Sequence, residues 1–384
     1  MADIKKIPKK GHPHYVLLIT STILILAMLV GCGPSPEDLA AVDYTPLPGD
    51  EWEVSTPAEQ GLDPMLVGEM YLNAAELDTL YSLLVIKNGY LIAEDYFNEG
   101  SADQKDRLQS VTKSFTSALV GIALEQGCLS SVDQKMLDFY PEVASQITDP
   151  RKEQIRLRDM LEMRAGYPSE EDAQALWDGL LSGHYPPLIE AFPLVSDPGT
   201  RFHYSNLTSN WLGIIVDRVC GMNLKAYAEE HLFLPLDVKA GEWGQDAEGH
   251  NNGCGDLHLT ARDGAKFGLL YLNDGVYKGN QVVPSDWVHD SLQTYSVNEA
   301  FVKKIGRFRD IGYGYQWWSA TAGEHQVNFA WGHGGQLIVL VDDFDMAIVT
   351  TSYPVWLEHN DQSWKQEKAI ITMVSEFVNS LPGE

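Results

Sequence analysis

Ser110 and Lys113 stand three residues apart in LQSVTKSFTSALVGIALEQG (108–127). On a helix this spacing puts both side chains on one face, within reach of each other. A serine hydroxyl becomes a useful nucleophile once a neighbouring base takes its proton. Lysine, with a reference pKa near 10.4, would have to fall by about three units to be that base at neutral pH, or about 4 kcal/mol. Burial and the positive end of a helix both act in that direction. The stretch from Val111 to Leu124 is apolar on nearly every side, so the sequence predicts a buried helix with a cation in its first turn. A capping serine beside a lysine that snorkels to water would leave the same pattern. Ser110–Lys113 is the only Ser-x-x-Lys in the chain, and no Gly-x-Ser-x-Gly elbow competes with it.

Two further clusters carry chemistry. Tyr204-Ser205-Asn206 follows the turn signal Asp197-Pro198-Gly199 and precedes an apolar helix containing Trp211, Leu212, Ile214 and Ile215. A tyrosine beside a cation can relay a proton, and an asparagine offers both donor and acceptor to an amide. Tyr71, Tyr96 and Tyr271 also begin a Tyr-x-Asn, but within helical or strand patterns where packing explains them. The other cluster is His333-Gly334-Gly335-Gln336, between two strand-like runs. Paired glycines there allow close approach to a ligand, and a backbone N–H could stabilise an oxyanion. A plain glycine bulge with a structural histidine is the alternative.

The three clusters, in this order, resemble the Ser-x-x-Lys, Tyr-x-Asn and Lys-Thr-Gly motifs of the serine β-lactamase and penicillin-binding-protein family, class C-like members most closely. The resemblance runs from about residue 56 to 380 and includes IRLRDMLEMRAGY, DPGTRFHYSN, GCGDLHLTARDGAKFGLLYLNDGVYKG and NQVVPSDWV. It implies that Ser110 is the acyl-forming nucleophile and Lys113 its general base, alone or with Tyr204. Asn206 would bind substrate or Lys113. The backbone amides of Ser110 and Gln336 would form the oxyanion hole, and His333, Gly334 and Gly335 would line the substrate site. No cofactor is implied.

One departure bears on substrate. His333-Gly334-Gly335 stands where penicillin recognition has Lys-Thr-Gly, so a permanent cation and a hydroxyl that meet the substrate carboxylate are missing. This argues against efficient β-lactam or D-Ala-D-Ala turnover. It is similar to esterases and short-amide hydrolases of the family, including those acting on 6-aminohexanoate oligomers. Arg309 is a candidate, by position only, to restore a carboxylate contact. The expected function is a serine hydrolase of esters or amides. The alternatives are a β-lactamase or D-alanyl-D-alanine carboxypeptidase, and a non-catalytic penicillin-sensing or envelope-binding lipoprotein.

The elements that must position these groups are legible in outline. YSLLVIKNGYLIAEDYF (81–97) reads as a hairpin about Asn88-Gly89, and residues 328–353 as three strands. Helical patterns cover 111–126, 155–163, 207–219, 223–232, 260–273, 284–292 and 361–381. The pattern predicts an α+β fold of the β-lactamase/transpeptidase-like type: an antiparallel sheet built from both termini, flanked by helices, with a mostly helical lobe between. Trp317, Trp318, Trp331, Tyr313 and Tyr315 are either pocket walls or core.

At 384 residues the chain can bury a sizeable core, and its net charge of -27 argues against a nucleic-acid partner. Lys5, Lys6, Lys9 and Lys10 precede the weakly polar to apolar run Val16–Val30, which ends at LVGC. That run is short for a membrane span. The segment resembles a bacterial lipoprotein signal, which implies cleavage before Cys32, lipidation of its thiol and an extracytoplasmic, membrane-anchored location. The expected organisation is a signal peptide over 1–31, a Pro-rich acidic linker over 32–55 and a hydrolase domain over 56–384. Cys128, Cys220 and Cys254 fit no metal spacing and read as small buried hydrophobes with at most one disulfide. No metal or nucleotide motif is present.

Overall fold

The computed structural model describes residues 34–49, 51–170, 174–297, 303–354 and 361–383. The expected signal segment and Cys32 lie outside the described residues. Among the described residues no helix is long and apolar enough to cross a membrane. The chain divides into two compact units, Met1–Ala41 and Val42–Glu384. In the first, Ser35 caps the short helix Pro36–Ala40, its hydroxyl accepting the Asp38 N–H.

In the second unit, strand β1 (Leu80–Lys87) turns through Asn88 and Gly89, both at positive φ, into β2 (Tyr90–Tyr96). That is the backbone an Asn-Gly hairpin turn requires. Six more strands come from the C-terminal part: β3 (Ser296–Val297), β4 (Arg309–Tyr313), β5 (Trp318–Ala322), β6 (His325–Gly332), β7 (Gln336–Val341) and β8 (Met346–Ser352). They form one eight-stranded sheet in the order β2-β1-β8-β7-β6-β5-β4-β3, and the two ends of the chain meet where β1 pairs antiparallel with β8. The sheet from both termini is as the sequence predicts. Strands β3, β4 and β5 were not legible: β3 has two residues, and β4 is interrupted by a register shift next to Asp310, whose φ is 52°.

Both faces of the sheet are covered, so its central strands are apolar without alternation, and neighbouring residues feed different cores. On one face Leu83, Val85, Val339 and Ile348 pack with α1 (Pro64–Ala74) and the closing helix. On the other, Leu84, Ile86, Ile338 and Val349 pack with α2 (Thr112–Glu125), α3 (Asn206–Cys220) and α4 (Ala261–Leu272). The closing helix is α5 (Asp361–Asn379). The helical lobe holds shorter pieces, including Leu157–Leu161, Leu224–Ala228 and Ser285–Leu292. The 223–232 pattern leaves the α-helix at Ala228 and continues as a π turn over Glu229–Phe233.

The stretch read by composition as linker is packed from Val42 onward. Glu94 N donates to Tyr44 O, Leu91 N to Glu53 O and Ser55 N to Leu91 O, so these residues cover the free edge of β2. Arg262 Nη2 adds a bond to Leu47 O. Leu47, between Pro46 and Pro48, donates its N–H to Glu94 Oε2. Cys128, Cys220 and Cys254 are all free thiols and half-buried rather than fully buried.

Candidate active site

Ser110 sits on a single tight turn, Gln109–Val111, that feeds directly into α2. Gln109 has φ 50°, an unfavourable conformation for a side chain with a Cβ, held by its surroundings. Leu108 N donates to Leu257 O at 2.8 Å on one side of the turn. On the other, β6 presses so close that a Cβ on Gly332 would lie 2.3 Å from Leu108 O. The turn that carries Ser110 is thus clamped between the central sheet and the segment before α4.

Lys113 is 1% exposed, so it does not snorkel. Its Nζ lies 2.8 Å from Ser110 Oγ, 2.7 Å from Asn206 Oδ1 and 2.9 Å from Cys254 O. Two of these partners can only accept. A neutral amine has two N–H donors and one lone pair. If the donors serve the asparagine oxygen and the backbone carbonyl, the lone pair is left for the one neighbour able to donate, the Ser110 hydroxyl. Burial pushes the Cys254 thiol pKa up to about 12, with Lys113 acting in the opposite direction.

The orientation of Asn206 is fixed by a residue that sequence reasoning missed. Glu170 is buried, and its Oε2 accepts from Asn206 N at 2.9 Å and Asn206 Nδ2 at 3.3 Å. Its Oε1 accepts from Leu207 N and Ser205 Oγ. With the amide nitrogen facing Glu170, the amide oxygen faces Lys113. The carboxylate also meets the first free N–H groups of α3, where the helix dipole favours negative charge. Its burial raises its pKa, while Asn206 and Leu207 N–H groups and Lys113 act in the opposite direction.

Tyr204 presents its ring to the same lysine: Nζ lies 4.9 Å from the ring centroid. Behind it the ring stacks on Trp318 with centroids 5.6 Å apart and planes at 19°. Ser110, Tyr204, Asn206 and His333 all line one cleft of about 990 Å³, together with Trp177, Leu181, Trp318, Trp331 and Trp364. Of the aromatic candidates, Trp318 and Trp331 are therefore cleft walls. Trp317 is fully buried in the core.

His333 opens the turn between β6 and β7. Its Nδ1 is 2.9 Å from Glu367 Oε2, a carboxylate supplied by α5. The same carboxylate accepts from Trp331 Nε1 at 2.7 Å and from Gly334 N at 2.8 Å. Gly334 and Gly335 have φ of 93° and 96°, which only glycine adopts freely. Gly335 N donates to Gly332 O. Gln336 begins β7, and its side chain is locked by Ser352: Nε2 donates to Ser352 O and Oγ, and Oε1 accepts from Ser352 N. Arg309 is not part of the cleft; its Nη1 caps Gly306 O and Phe308 O at the outer part of the sheet. The arginine that does reach the cleft is Arg107, whose Nε donates to Asp256 Oδ1 at 2.5 Å.

This geometry can be set beside known proteins. A family model described as Beta-lactamase matches residues 81–352. The chain is 28% identical over 297 residues to the 6-aminohexanoate-dimer hydrolase of Paenarthrobacter ureafaciens, covering 74% of each protein. Among solved structures, the octameric penicillin-binding protein homologue from Pyrococcus abyssi superposes with a TM-score of 0.61 at 18% identity, over 80% of this chain and 76% of that one. EstCE1, a hydrolase with promiscuous acyltransferase activity, does so with a TM-score of 0.63 at 15% identity, over 82% and 98%. At these identities the structural likenesses concern the fold.

Proposed function

The chain belongs to the beta-lactamase family, and on that footing we propose that it is a serine hydrolase that cleaves a carboxylic ester or amide through an acyl-serine at Ser110. The observation that carries this reading is the placing of Lys113 Nζ between one hydroxyl and two obligate acceptors. The Ser110 proton passes to the lysine lone pair while Oγ bonds to the substrate carbonyl carbon, and the carbonyl electron pair moves onto oxygen. The backbone N–H groups of Ser110 and Gln336 receive that oxyanion, each donor contributing about 3 kcal/mol. Collapse breaks the bond to the leaving group, which takes the proton from Lys113 directly or through Tyr204. Water then attacks the acyl carbon, returns the proton by the same route, and releases the acid and free Ser110.

The substrate class follows from the cleft walls and from His333. Aromatic walls favour apolar acyl or leaving groups, and the absence of a lysine at position 333 disfavours penicillins. The similarity to a 6-aminohexanoate-dimer hydrolase makes short linear amides a natural second substrate class. The test is a panel of short-chain aryl esters, aminohexanoate oligomers and nitrocefin with the purified chain. Steady turnover of esters or amides that exceeds nitrocefin turnover supports the reading. Nitrocefin as the best substrate would establish the β-lactamase alternative, and a single acylation burst without turnover the sensor alternative.

A location is proposed on sequence alone. Cleavage before Cys32 and lipidation there would hold the enzyme at the extracytoplasmic face of a membrane. Loss of membrane fractionation in Cys32→Ser would bear this out; unchanged fractionation would refute it.

A further inference from the structure

Where family resemblance places a permanent cation, this chain places two side chains that share a charge. His333 lines the cleft and is about one third exposed, while Glu367, 2.9 Å from its Nδ1, is 1% exposed. Histidine brings at most one positive charge and Glu367 one negative. The pair is therefore neutral or negative, and at no pH where Glu367 is ionised is it positive. A histidine alone would be a weak substitute for lysine; a histidine tied to a buried carboxylate is no substitute.

The rest of the cleft does not make up the difference. Arg107 is paired to Asp256, which also lines the cleft. Lys368 lies over the Trp364 ring at the rim, with its Nζ 5.2 Å from the centroid, but it is on the exposed face of α5, where solvent screens it. Lys113 is committed to Ser110, Asn206 and Cys254, with the Glu170 carboxylate behind Asn206. Among the described residues, the His333 end of the cleft therefore offers a substrate carboxylate no unshared cation.

Glu367 is also built in firmly. Its two oxygens hold Trp331 Nε1, Gly334 N and His333 Nδ1 at once, so one carboxylate orients a cleft wall, a selectivity residue and the turn that leads to Gln336. We propose that Glu367 is a specificity-determining residue: it makes the His333 end of the cleft reject anionic groups, so that the natural substrate is uncharged, or cationic, at the group reaching His333. This rests on the serine-hydrolase reading above and narrows its substrate class.

The test compares two aryl esters of matched size, one ending in a carboxylate and the other in the corresponding primary amide, at low ionic strength. Both kcat/KM and the rate of Ser110 labelling by the matching phosphonates are measured. The native chain should prefer the neutral member by about tenfold or more, as expected for one charge a few ångströms from a part-buried carboxylate. Glu367→Gln keeps the size and should shrink that preference by about fivefold or more, through KM rather than kcat. If Glu367 only supports the fold, Glu367→Gln lowers both rates in the same ratio, and the proposal is overturned. His333→Ala gives a second reading in case the first variant does not fold. Its preference for the neutral ester should persist, because the carboxylate remains, and loss of the preference would overturn the proposal. Failure of both phosphonates to label Ser110 would overturn the hydrolase reading itself, whereas equal labelling by both overturns only the role of Glu367.

Discussion

Lys113 Nζ and Ser110 Oγ lie 2.8 Å apart with the lysine side chain sealed from solvent. A cation in the first turn of an apolar helix is unfavourable on its own, so the position calls for a compensating use. Replacing Lys113 with Met keeps the packing and removes the proposed base. We expect kcat for ester cleavage to fall by about 10³-fold with KM changed little, measured by steady-state kinetics. A fall confined to KM would mean that the amine binds substrate and does not move protons.

Glu170 holds Asn206 by its backbone and its side chain at once. Glu170→Ala would leave the Asn206 and Leu207 N–H groups buried without a partner. We expect a loss of about 3 kcal/mol of stability and a lower kcat, because the Asn206 amide becomes free to turn its nitrogen toward Lys113. Glu170→Gln, which can still accept one bond, should lose less on both counts. Denaturant melts and kinetics of the two variants check this.

Restoring the penicillin motif wholesale should fail for a geometric reason. A Cβ on Gly334 would lie 2.9 Å from Pro354 Cα, at a φ of 93°. His333→Lys should fold, and because Glu367 shares the new charge it should raise nitrocefin acylation over ester cleavage only when Glu367→Gln accompanies it. Adding Gly334→Thr should cost about 2–3 kcal/mol, read as a drop in melting temperature. A His333→Lys, Gly334→Thr double replacement as stable as the native chain would show that the turn can rearrange.

The loop that supplies the Cys254 carbonyl is tied to α3 by His250 Nδ1 and Asp217 Oδ2, 3.0 Å apart. The hydrogen bond to Asp217 raises the histidine pKa above its usual value, against the opposing effect of burial. A raised folded-state pKa means that this stabilisation is complete below the unfolded value of about 6.5 and is lost as pH rises through the folded value. Asp217→Asn should therefore cost about 1 kcal/mol at pH 5.5 and much less at pH 9, measured by denaturant unfolding at both pH values.

What the sequence revealed and what it hid divide along physical lines. Ser110 and Lys113 were legible because helical spacing alone brings them together, and the 81–97 hairpin because Asn-Gly at positive φ is a local requirement. Glu170 and Glu367 were not. Each is a single acidic residue far along the chain from what it holds, and only the fold reveals that it is buried. The Cys254 contact was invisible for another reason: it is a backbone carbonyl, which every residue has. Strands β3 to β5 escaped because their short segments, two to five residues long, are held by neighbouring strands rather than by their own pattern.

The most direct test is intact-protein and peptide mass spectrometry after exposure to a serine-reactive phosphonate or a slowly deacylating ester. The expected result is one adduct per chain, mapped to Ser110, formed much more slowly in Lys113→Met and absent from Ser110→Ala. An adduct on another residue, or labelling that persists in Ser110→Ala, would contradict the assignment of the nucleophile and of the base beside it.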